Sequence, residues 1–537
     1  MRYTTIGFLF LCLLPAWGST TRVVTTLADS GAGSLRDAMT QANGSSGDTI
    51  SFARGLSGTI LLQSPLPTVT QYMVINGPGA AGLAINGQGA YQCFSIVYKL
   101  DLSGVTIENC NSSLGAIYVA SLATLNLLNA NLKNNMSGTG GGAIFNNGSL
   151  MLAFVTLNQN SAANSGGALF NYGSVDLAYV TFNGNWSSQG GAIANEGFID
   201  MSFSTLAGNY CRNGAGGGGV YNPGVFEFDH STFINNSSTH GVSGGGAILN
   251  EGELLGANST FWLNTADNDG GAIYDNGPEE LTFVTIADNS APGGSLYNLP
   301  GAVSLKATIV AHGSSGPNCN GSVVSKGYNL SDDSSCNLTG TGDINSRGAS
   351  LDPTGPQVNG GITPTIALLP GSLAVNAIPS GVCAGIVTDD QRQVLRPQGS
   401  GCDIGAFELA ALQNFDAKLG LITGLLGRFN LIASFSLDRE FDLLDPTSSA
   451  LTLRIGTYQV NLPAGSFHSI GSSVWAFVGI VNGTGVGIQI QSLGDEKYQL
   501  TAQGAPANLF GITSPTILSL TIGVYSGTIV VPFTPAI

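Results

Sequence analysis

Four acidic residues fall in successive units of a repeating sequence, where they could act on a polysaccharide. They are Asp176, Asp200, Glu227 and Asp229. Clustered carboxylates, paired with each other or with a nearby Lys or Arg, can supply the acid and the base that glycan cleavage needs. That chemistry requires residues from different units to converge. The simpler interpretation is an outer face in solvent, which we favour.

Two further groups of charged residues could bind an ion or catalyse a reaction. Asp267-Asn268-Asp269 and Asp275 offer oxygen atoms suited to Ca²⁺, although the RTX nonapeptide pattern is absent and surface charge is the interpretation we favour. The densest group comprises Asp389, Asp390, Gln391, Arg392, Arg396, Asp403 and Glu408. Because Arg pairs with carboxylates in bidentate geometry, we predict that this group forms ion pairs in a cap at the end of the fold.

Aromatic residues recur just after pairs of glycines and could stack on sugar rings. They are Tyr118, Phe145, Phe170, Tyr221, Tyr274 and Tyr297. The same spacing suits a core, which we predict for Phe145 and Phe170, while both interpretations stay open for the tyrosines. The four His are scattered and there is no CxxC motif, so the sequence predicts no catalytic set, no cofactor site and no metal site.

The glycine pairs reveal the elements that must position all of these side chains. They begin at residues 141, 166, 190, 218, 245, 270 and 293. Between them lie short β-type triplets followed by Asn, such as Val155-Thr156-Leu157 before Asn160. Three strands of about 3 to 5 residues in each unit of roughly 25 are too short for a sandwich, and the pattern predicts a parallel β-helix.

In such a coil equivalent residues stack from one turn to the next. We expect an interior row consisting of Leu157, Phe182, Leu206, Phe233, Phe261 and Ile286. We expect a corner ladder consisting of Asn160, Asn185, Asn209, Asn236, Asn264 and Asn289, joined by side-chain amide hydrogen bonds. An amphipathic helix near 34–43, with Ser34 as its N-cap, is predicted to cover the open N-terminal end.

The repeats also carry a family resemblance. Five glycine pairs continue as Gly-Gly-Ala-Ile or Gly-Gly-Ala-Leu, and a Phe-x-x-Asn motif recurs at 182–185, 233–236 and 261–264. This pairing is similar to the repeats of chlamydial polymorphic outer-membrane proteins. Residues 29–38 and 402–408 resemble the two ends of secreted bacterial β-helix proteins of the choice-of-anchor Q type. The resemblance, over about residues 22–410, implies a right-handed parallel β-helix on an exported protein and implies little about activity.

The last part of the chain has a different pattern. After Glu408 the apolar and polar residues alternate over longer segments, separated by turns every 8 to 14 residues. This alternation predicts an antiparallel β-sandwich over 428–537, with 411–427 as a linker or leading segment. The β-helix itself is assigned to residues 19–410.

The N-terminus and the cysteines indicate export. Residues 1–18 have the charge, apolar stretch and small residues of a signal peptide cut before Ser19, and no later stretch is apolar for long enough to span a bilayer. In an oxidising compartment we expect disulfides between Cys93 and Cys110, Cys319 and Cys336, and Cys383 and Cys402, which leaves Cys211 over.

Together these patterns favour a non-enzymatic protein, secreted or on the outer cell surface, that contacts a glycan or a ligand on a host or another cell. A net charge of −16 without a basic stripe argues against nucleic acid as a partner. The alternative is a polysaccharide lyase or glycoside hydrolase that works in a groove of the β-helix. A third possibility is a purely structural role in an envelope layer.

Overall fold

The structure is a computed structural model that describes most of the chain. The described residues are 19–239, 244–299, 303–369, 371–383, 385–423, 427–437, 444–509, 512, 514–523 and 525–535. The predicted signal peptide, residues 1–18, lies outside them. The described part is almost entirely β-structure, and its first half is a parallel β-solenoid.

Seven successive coils each contribute one strand to each of four parallel sheets, one more than the three predicted, and the coils nearer the two ends contribute fewer. The Gly-Gly sheet follows the glycine pairs and consists of Phe94–Ile96, Ile117–Val119, Ile144–Asn146, Leu169–Asn171, Ile193–Asn195, Val220–Asn222, Ile248–Asn250, Ile273–Asp275, Leu296–Asn298 and Cys319–Asn320. The long sheet comes next and consists of Thr21–Val24, Asp48–Phe52, Met73–Asn76, Lys99–Ser103, Thr124–Leu128, Ser149–Ala153, Ser174–Ala178, Phe198–Ser202, Val225–Asp229, Glu253–Ala257, Glu279–Thr282, Val303–Lys306 and Val323–Ser325.

The other two sheets complete each coil. The triplet sheet contains the predicted β-type triplets and consists of Gly58–Leu61, Leu83–Asn86, Thr106–Glu108, Asn131–Lys133, Thr156–Asn158, Thr181–Asn183, Thr205–Ala207, Thr232–Ile234, Thr260–Trp262, Thr285–Ala287, Ile309–Ala311, Leu330–Ser331 and Ile344–Asn345. The short sheet was not predicted and consists of Asn111–Ser112, Met136–Ser137, Ser161–Ala162, Trp186–Gln189, Tyr210–Gly216, Ser237–Thr239 and Thr265–Ala266.

The interior of the coil is built as the repeat predicts. The six residues of the expected interior row are all fully buried. Phe233 and Phe261 stack with their ring centroids 4.4 Å apart, which shows how equivalent residues of adjacent coils meet. Because the strands of the long sheet alternate inward and outward side chains, each coil adds apolar area to one continuous core, and this burial is the main stabilising term.

The predicted Asn ladder is also confirmed. All six Asn side chains are fully buried, and each of the first five donates through Nδ2 to Oδ1 of the next at 2.8–3.0 Å. Asn160 shows the pattern, since its Nδ2 also donates to the Leu132 carbonyl at 2.9 Å. The ladder therefore satisfies backbone groups at a corner where the sheets cannot pair with each other.

The glycine pairs allow two backbones to approach closely at another corner. Gly166 has φ of +63°, and a Cβ on Gly167 would lie 2.2 Å from the carbonyl oxygen of Gly191 in the next coil. Side chains are excluded there, which explains why the pair recurs once per coil.

A helix packs at the N-terminal end of the coil, as predicted. It spans Leu35–Ala42, and Ser34 caps it by accepting a hydrogen bond at 3.1 Å from the Asp37 backbone N–H. Leu35 and Met39 are fully buried and belong to the interior cluster of the solenoid. Burying this face joins the helix to the coil beneath it.

Residues 346–408, the fold-back segment, leave the last coil and return along the triplet sheet. Gln391 fixes this arrangement: its Nε2 donates to Thr232 Oγ1 at 2.9 Å, and Thr260 Oγ1 donates to its Oε1 at 2.6 Å. Within the segment, the short helix Ser380–Cys383 follows Ile378–Pro379, which pairs antiparallel with Gly401–Cys402. The segment therefore lies along the side of the coil, in contact with strands more than a hundred residues earlier.

Three disulfides are present in the predicted pairs. They join Cys93 to Cys110, Cys319 to Cys336, and Cys383 to Cys402, and Cys211 is a buried free thiol. The first two pairs lie within the solenoid, and the third lies within the fold-back segment.

Two mainly antiparallel sheets follow the solenoid. The smaller consists of Ala410–Ala411, Leu451–Ile455, Tyr458–Leu462, Thr516–Ile522 and Tyr525–Val531. The larger consists of Gln413–Ile422, Gly427–Ser436, His468–Gly471, Val474–Val481, Thr484–Gly494, Lys497–Ala507 and Phe533–Pro535. The stretch predicted as a linker, 411–427, therefore contains a full strand of the larger sheet. Among the described residues, no helix is long and apolar enough to cross a membrane.

Candidate functional site

The four acidic residues of successive repeats do come together on the solenoid. Asp176, Asp200 and Glu227 are register partners on adjacent strands of the long sheet, and their side chains face outward. Asp229 lies two residues beyond Glu227 on the same face. Neighbouring strands are about 4.8 Å apart, so the stacking forms the carboxylate row that the spacing made possible.

A row of aromatic rings runs parallel to the carboxylates. Phe154, Tyr179 and Phe203 each follow the last residue of a long-sheet strand and occupy the corner before the triplet sheet. Their ring centroids are 4.7 Å and 5.2 Å apart and their planes differ by 2° and 12°. Phe154, the first ring of the row, is 53% exposed, so a ligand could reach it.

These aromatic residues hold a backbone conformation that their side chains disfavour. Phe154, Tyr179 and Phe203 have φ of 55°, 58° and 47°, in the left-handed region. That conformation costs about 1–2 kcal/mol for each residue other than glycine. At the next corner of the same three coils the left-handed positions are held by Gln159, Gly184 and Gly208, and the two glycines adopt this conformation freely. The corner of the aromatic residues is also left-handed at Asn129, His230 and Asn258, so the fold imposes this conformation and these three coils fill it with aromatic residues.

Small side chains separate the two rows. The residues between them are Ala153, Ala178 and Ser202, which are register partners in three adjacent strands; Ala153 is buried and the other two are half-buried. We call the whole arrangement the corner strip, and it consists of Phe154, Tyr179, Phe203, Asp176, Asp200, Glu227, Asp229 and the three small residues between the rows. It is a shallow surface with carboxylates along one side and ring edges along the other.

Electrostatic repulsion within the strip changes the acidity of Asp200. Partial burial, together with the charges of Asp229, Glu227 and Asp176, raises the pKa of Asp200 to about 6. Burial alone raises the pKa of Asp176. The three charges that raise the pKa of Asp200 all belong to carboxylates, so the strip is a site of strongly negative potential.

His230 ends the strip where the fold-back segment begins to cover it. Its ring stacks on Phe203 at 4.6 Å, and its two nitrogens lie 3.3 Å from Asp229 and 3.5 Å from Asp389 of the fold-back segment. Burial opposes the charge on this ring, but the two carboxylates outweigh burial and raise the pKa of His230 to about 9. A protonated His230 thus ties the fold-back segment to the coil.

The aromatic residues that follow the glycine pairs form a different surface. Each is the middle residue of a Gly-Gly strand and points outward, while its two neighbours point into the coil. Phe145 and Phe170 pack on each other at 5.0 Å and on Tyr172, outside the interior cluster. The core prediction is therefore wrong for Phe145, which is only half-buried, because a strand of three residues directs its middle side chain away from the coil. Phe170 is buried as predicted, at 7% exposed, although it packs outside the interior cluster.

The densest charge cluster is a buried ion-pair network. Arg392 pairs with Asp390 at 2.6 Å, and Arg396 pairs with Glu408 at 2.7 Å, with all four side chains at most 1% exposed. Burial and the charge of Glu408 raise the pKa of Asp403. The predicted ion pairing is confirmed, but the predicted position is wrong, since the network lies beside the triplet sheet and not at the end of the coil.

The predicted acidic patch at 267–275 does not converge. Asp267 is exposed and Asp269 half-buried on a surface loop, whereas Asp275 is 1% exposed and points into the coil. In the described parts of the chain, no three His, Cys, Asp or Glu side chains are grouped so that they could hold a metal ion.

Sequence reasoning missed the aromatic row, although a signal was present. Phe154, Tyr179, Phe203 and His230 each stand directly before a triplet, in phase with the repeat. A search for strand patterns does not find this position, because it belongs to a corner.

One comparison with known proteins finds a similarity at a single coil. A family model described as the Chlamydia polymorphic membrane protein repeat matches residues 179–196. The matched stretch begins at Tyr179 of the corner strip and includes the strand Thr181–Asn183, the ladder residue Asn185 and the Gly190-Gly191 corner. A search of curated proteins finds no match to this chain.

Proposed function

We propose that this protein is displayed on a cell surface or secreted, as an exported β-solenoid of the choice-of-anchor Q type. The solenoid has repeats similar to those of a polymorphic membrane protein, and its three disulfides suit an oxidising, extracellular compartment. The predicted signal peptide at 1–18 agrees with this location.

We propose further that the corner strip binds a saccharide and so mediates adhesion or glycan contact. The single observation that carries this proposal is that three successive coils place stacked aromatic residues beside a row of carboxylates. Ring edges offer apolar contact to the C–H groups of a sugar, and carboxylates accept hydrogen bonds from its hydroxyls.

A glycan array with the full chain tests this proposal. The variant Phe154→Gly with Tyr179→Gly removes two rings and relieves two strained φ angles, so we expect it to fold and to lose binding. Phe145→Ala is the matched control, because it removes an outward aromatic residue from the Gly-Gly sheet and should bind as the parent does. If no glycan binds the parent, or if both variants bind equally well, the strip is not the site.

A second candidate function is cleavage of a glycan at the same strip. The observation that favours it is the pKa of about 6 at Asp200, because a carboxyl group that holds a proton near neutral pH beside ionised carboxylates can act as a general acid. A reducing-sugar assay on neutral and acidic polysaccharides separates the two functions. Release of reducing ends by the parent and not by Asp200→Asn would replace binding with hydrolysis.

Finer features of the architecture belong to the same proposal. We take the coil to be right-handed, as parallel crossovers almost always are. We take the two C-terminal sheets to pack as a sandwich, because one hydrophobic cluster draws on both. In domain terms, 19–410 would form the solenoid with its fold-back segment and 428–537 the sandwich, with 411–427 joining them.

A further inference from the structure

One coil breaks the repeat at two interior positions at once. The inward column of the long sheet is apolar in the neighbouring coils, yet Glu279 stands in it between Leu254 and Val303. The Asn residues that end the Gly-Gly strands form a second ladder, yet Asp275 follows Asn250 there. Because these exceptions lie four residues apart in the same coil, we treat them as one feature.

The second ladder shows what Asp275 cannot do. In the earlier coils an Asn Nδ2 donates to Oδ1 of the next Asn, as from Asn222 to Asn250 at 2.7 Å. Asp275 Oδ1 accepts in the same way from Asn250 at 2.7 Å and also from the Gly277 backbone N–H at 3.2 Å. Its other oxygen replaces the nitrogen that would continue the ladder, so it has no hydrogen to donate.

Three buried carboxylate oxygens are left without a hydrogen-bond donor. They are Oδ2 of Asp275 and both Oε atoms of Glu279, and the two residues are 1% and 4% exposed. Glu279 is buried by apolar neighbours, and its charge is opposed by that of Asp275. Burial also raises the pKa of Asp275. Two buried acids without a basic partner are costly unless something positive lies between them.

We propose that Asp275 and Glu279 bind a hard divalent cation, Ca²⁺ in the first instance, inside the coil. Two positive charges balance two carboxylates, and all available ligand atoms are oxygens, which Ca²⁺ prefers. The pair supplies two side chains, and Ca²⁺ commonly completes its shell with backbone carbonyls and water. A single shared proton is the competing explanation, but it would join only two of the three oxygens and leave one negative charge buried.

Thermal unfolding of the full chain tests this assignment. After treatment with EDTA and dialysis, the parent should show a midpoint that rises when about 1 mM CaCl2 is added. Metal analysis of the protein dialysed against CaCl2 should find one Ca²⁺ per chain. The double variant Asp275→Asn with Glu279→Leu restores the pattern of the neighbouring coils, so it should fold and lose both responses.

A neighbouring acid provides the matched control. Glu280 is adjacent to Glu279 but exposed, so Glu280→Gln should keep the full response to CaCl2. A parent midpoint that ignores Ca²⁺ and falls as the pH rises, with no bound metal, would show that a shared proton neutralises the pair and would overturn the proposal. An unchanged response in the double variant would place any Ca²⁺ elsewhere.

Discussion

The buried Asn ladder should be a major source of stability, and replacing Asn209 with Ala tests how large it is. Asn209 is fully buried in the middle of the ladder. Its Oδ1 accepts from the backbone N–H of Asn185 at 3.0 Å and from Nδ2 of Asn185 at 2.9 Å. Its Nδ2 donates to the Phe182 carbonyl at 3.0 Å and to Asn236 at 2.9 Å.

The expected magnitude follows from the groups left behind. In Asn209→Ala, two buried N–H donors of Asn185 lose their acceptor, the Phe182 carbonyl loses a donor, and Asn236 Oδ1 keeps only the Asn209 backbone N–H. Each unsatisfied buried donor costs about 1–3 kcal/mol, so we expect a loss of about 4 kcal/mol in the free energy of unfolding. That value is a large fraction of the stability of an ordinary domain.

Asn183 offers a matched control in the preceding coil. It donates to Asn158 at 3.0 Å in the same Asn–Asn geometry, but its side chain is exposed, so water can replace the lost partner. Asn183→Ala should therefore change the stability by less than about 0.5 kcal/mol.

Urea unfolding followed by circular dichroism measures both variants, and hydrogen exchange of the backbone amides shows whether the weakened region surrounds Asn185. If Asn209→Ala costs less than about 1 kcal/mol, or no more than Asn183→Ala, then water or local repacking satisfies the corner. The reasoning that the ladder stabilises the coil would then be refuted.

Three further outcomes are expected. The pKa of His230 is raised from 6.5 to about 9, so the folded protein holds this proton more tightly than the unfolded chain. The free energy of unfolding should therefore fall by up to roughly 3 kcal/mol as the pH rises from 6.5 to 9. Thermal unfolding of His230→Asn should no longer show that slope. Cys319→Ser and Cys336→Ser should each lower the free energy of unfolding by about 3 kcal/mol, since their disulfide closes a loop with a sequence separation of 17. In urea unfolding the double variant should lose no more than either single variant. The folded state favours protonated Asp200, so part of the free energy of unfolding should be lost as the pH rises from about 4 to 6. If Asp200→Asn shows the same dependence of stability on pH, the raised pKa of Asp200 is contradicted.

The coil could be predicted from the sequence because its determinants are local and repeated. Gly166, Phe182 and Asn185 each recur once per coil, and each has a physical role that does not depend on the rest of the chain. The same logic found the carboxylate row, since register follows once the strands are aligned. The three disulfides followed from close spacing in sequence.

The features that sequence reasoning missed depend on position within the coil or on distant contacts. A strand of two residues, such as Ser161–Ala162, has no alternation to recognise. The aromatic row occupies corners, where neither strand nor turn propensity predicts a Phe. The fold-back segment is held by Gln391, whose partners Thr232 and Thr260 are 159 and 131 residues away, so no local pattern predicts it.

The fold-back segment also determines how the rod would respond to tension. Gln391 braces the coils of Thr232 and Thr260 sideways, whereas the coils near the N-terminal helix are held by their neighbours and by the Cys93–Cys110 disulfide. A pull along the chain should therefore unravel the molecule from its N-terminal end, one turn at a time. Each turn of 25 residues would release roughly 85 Å of extended chain, so the solenoid would lengthen in steps under force and take up energy at each step.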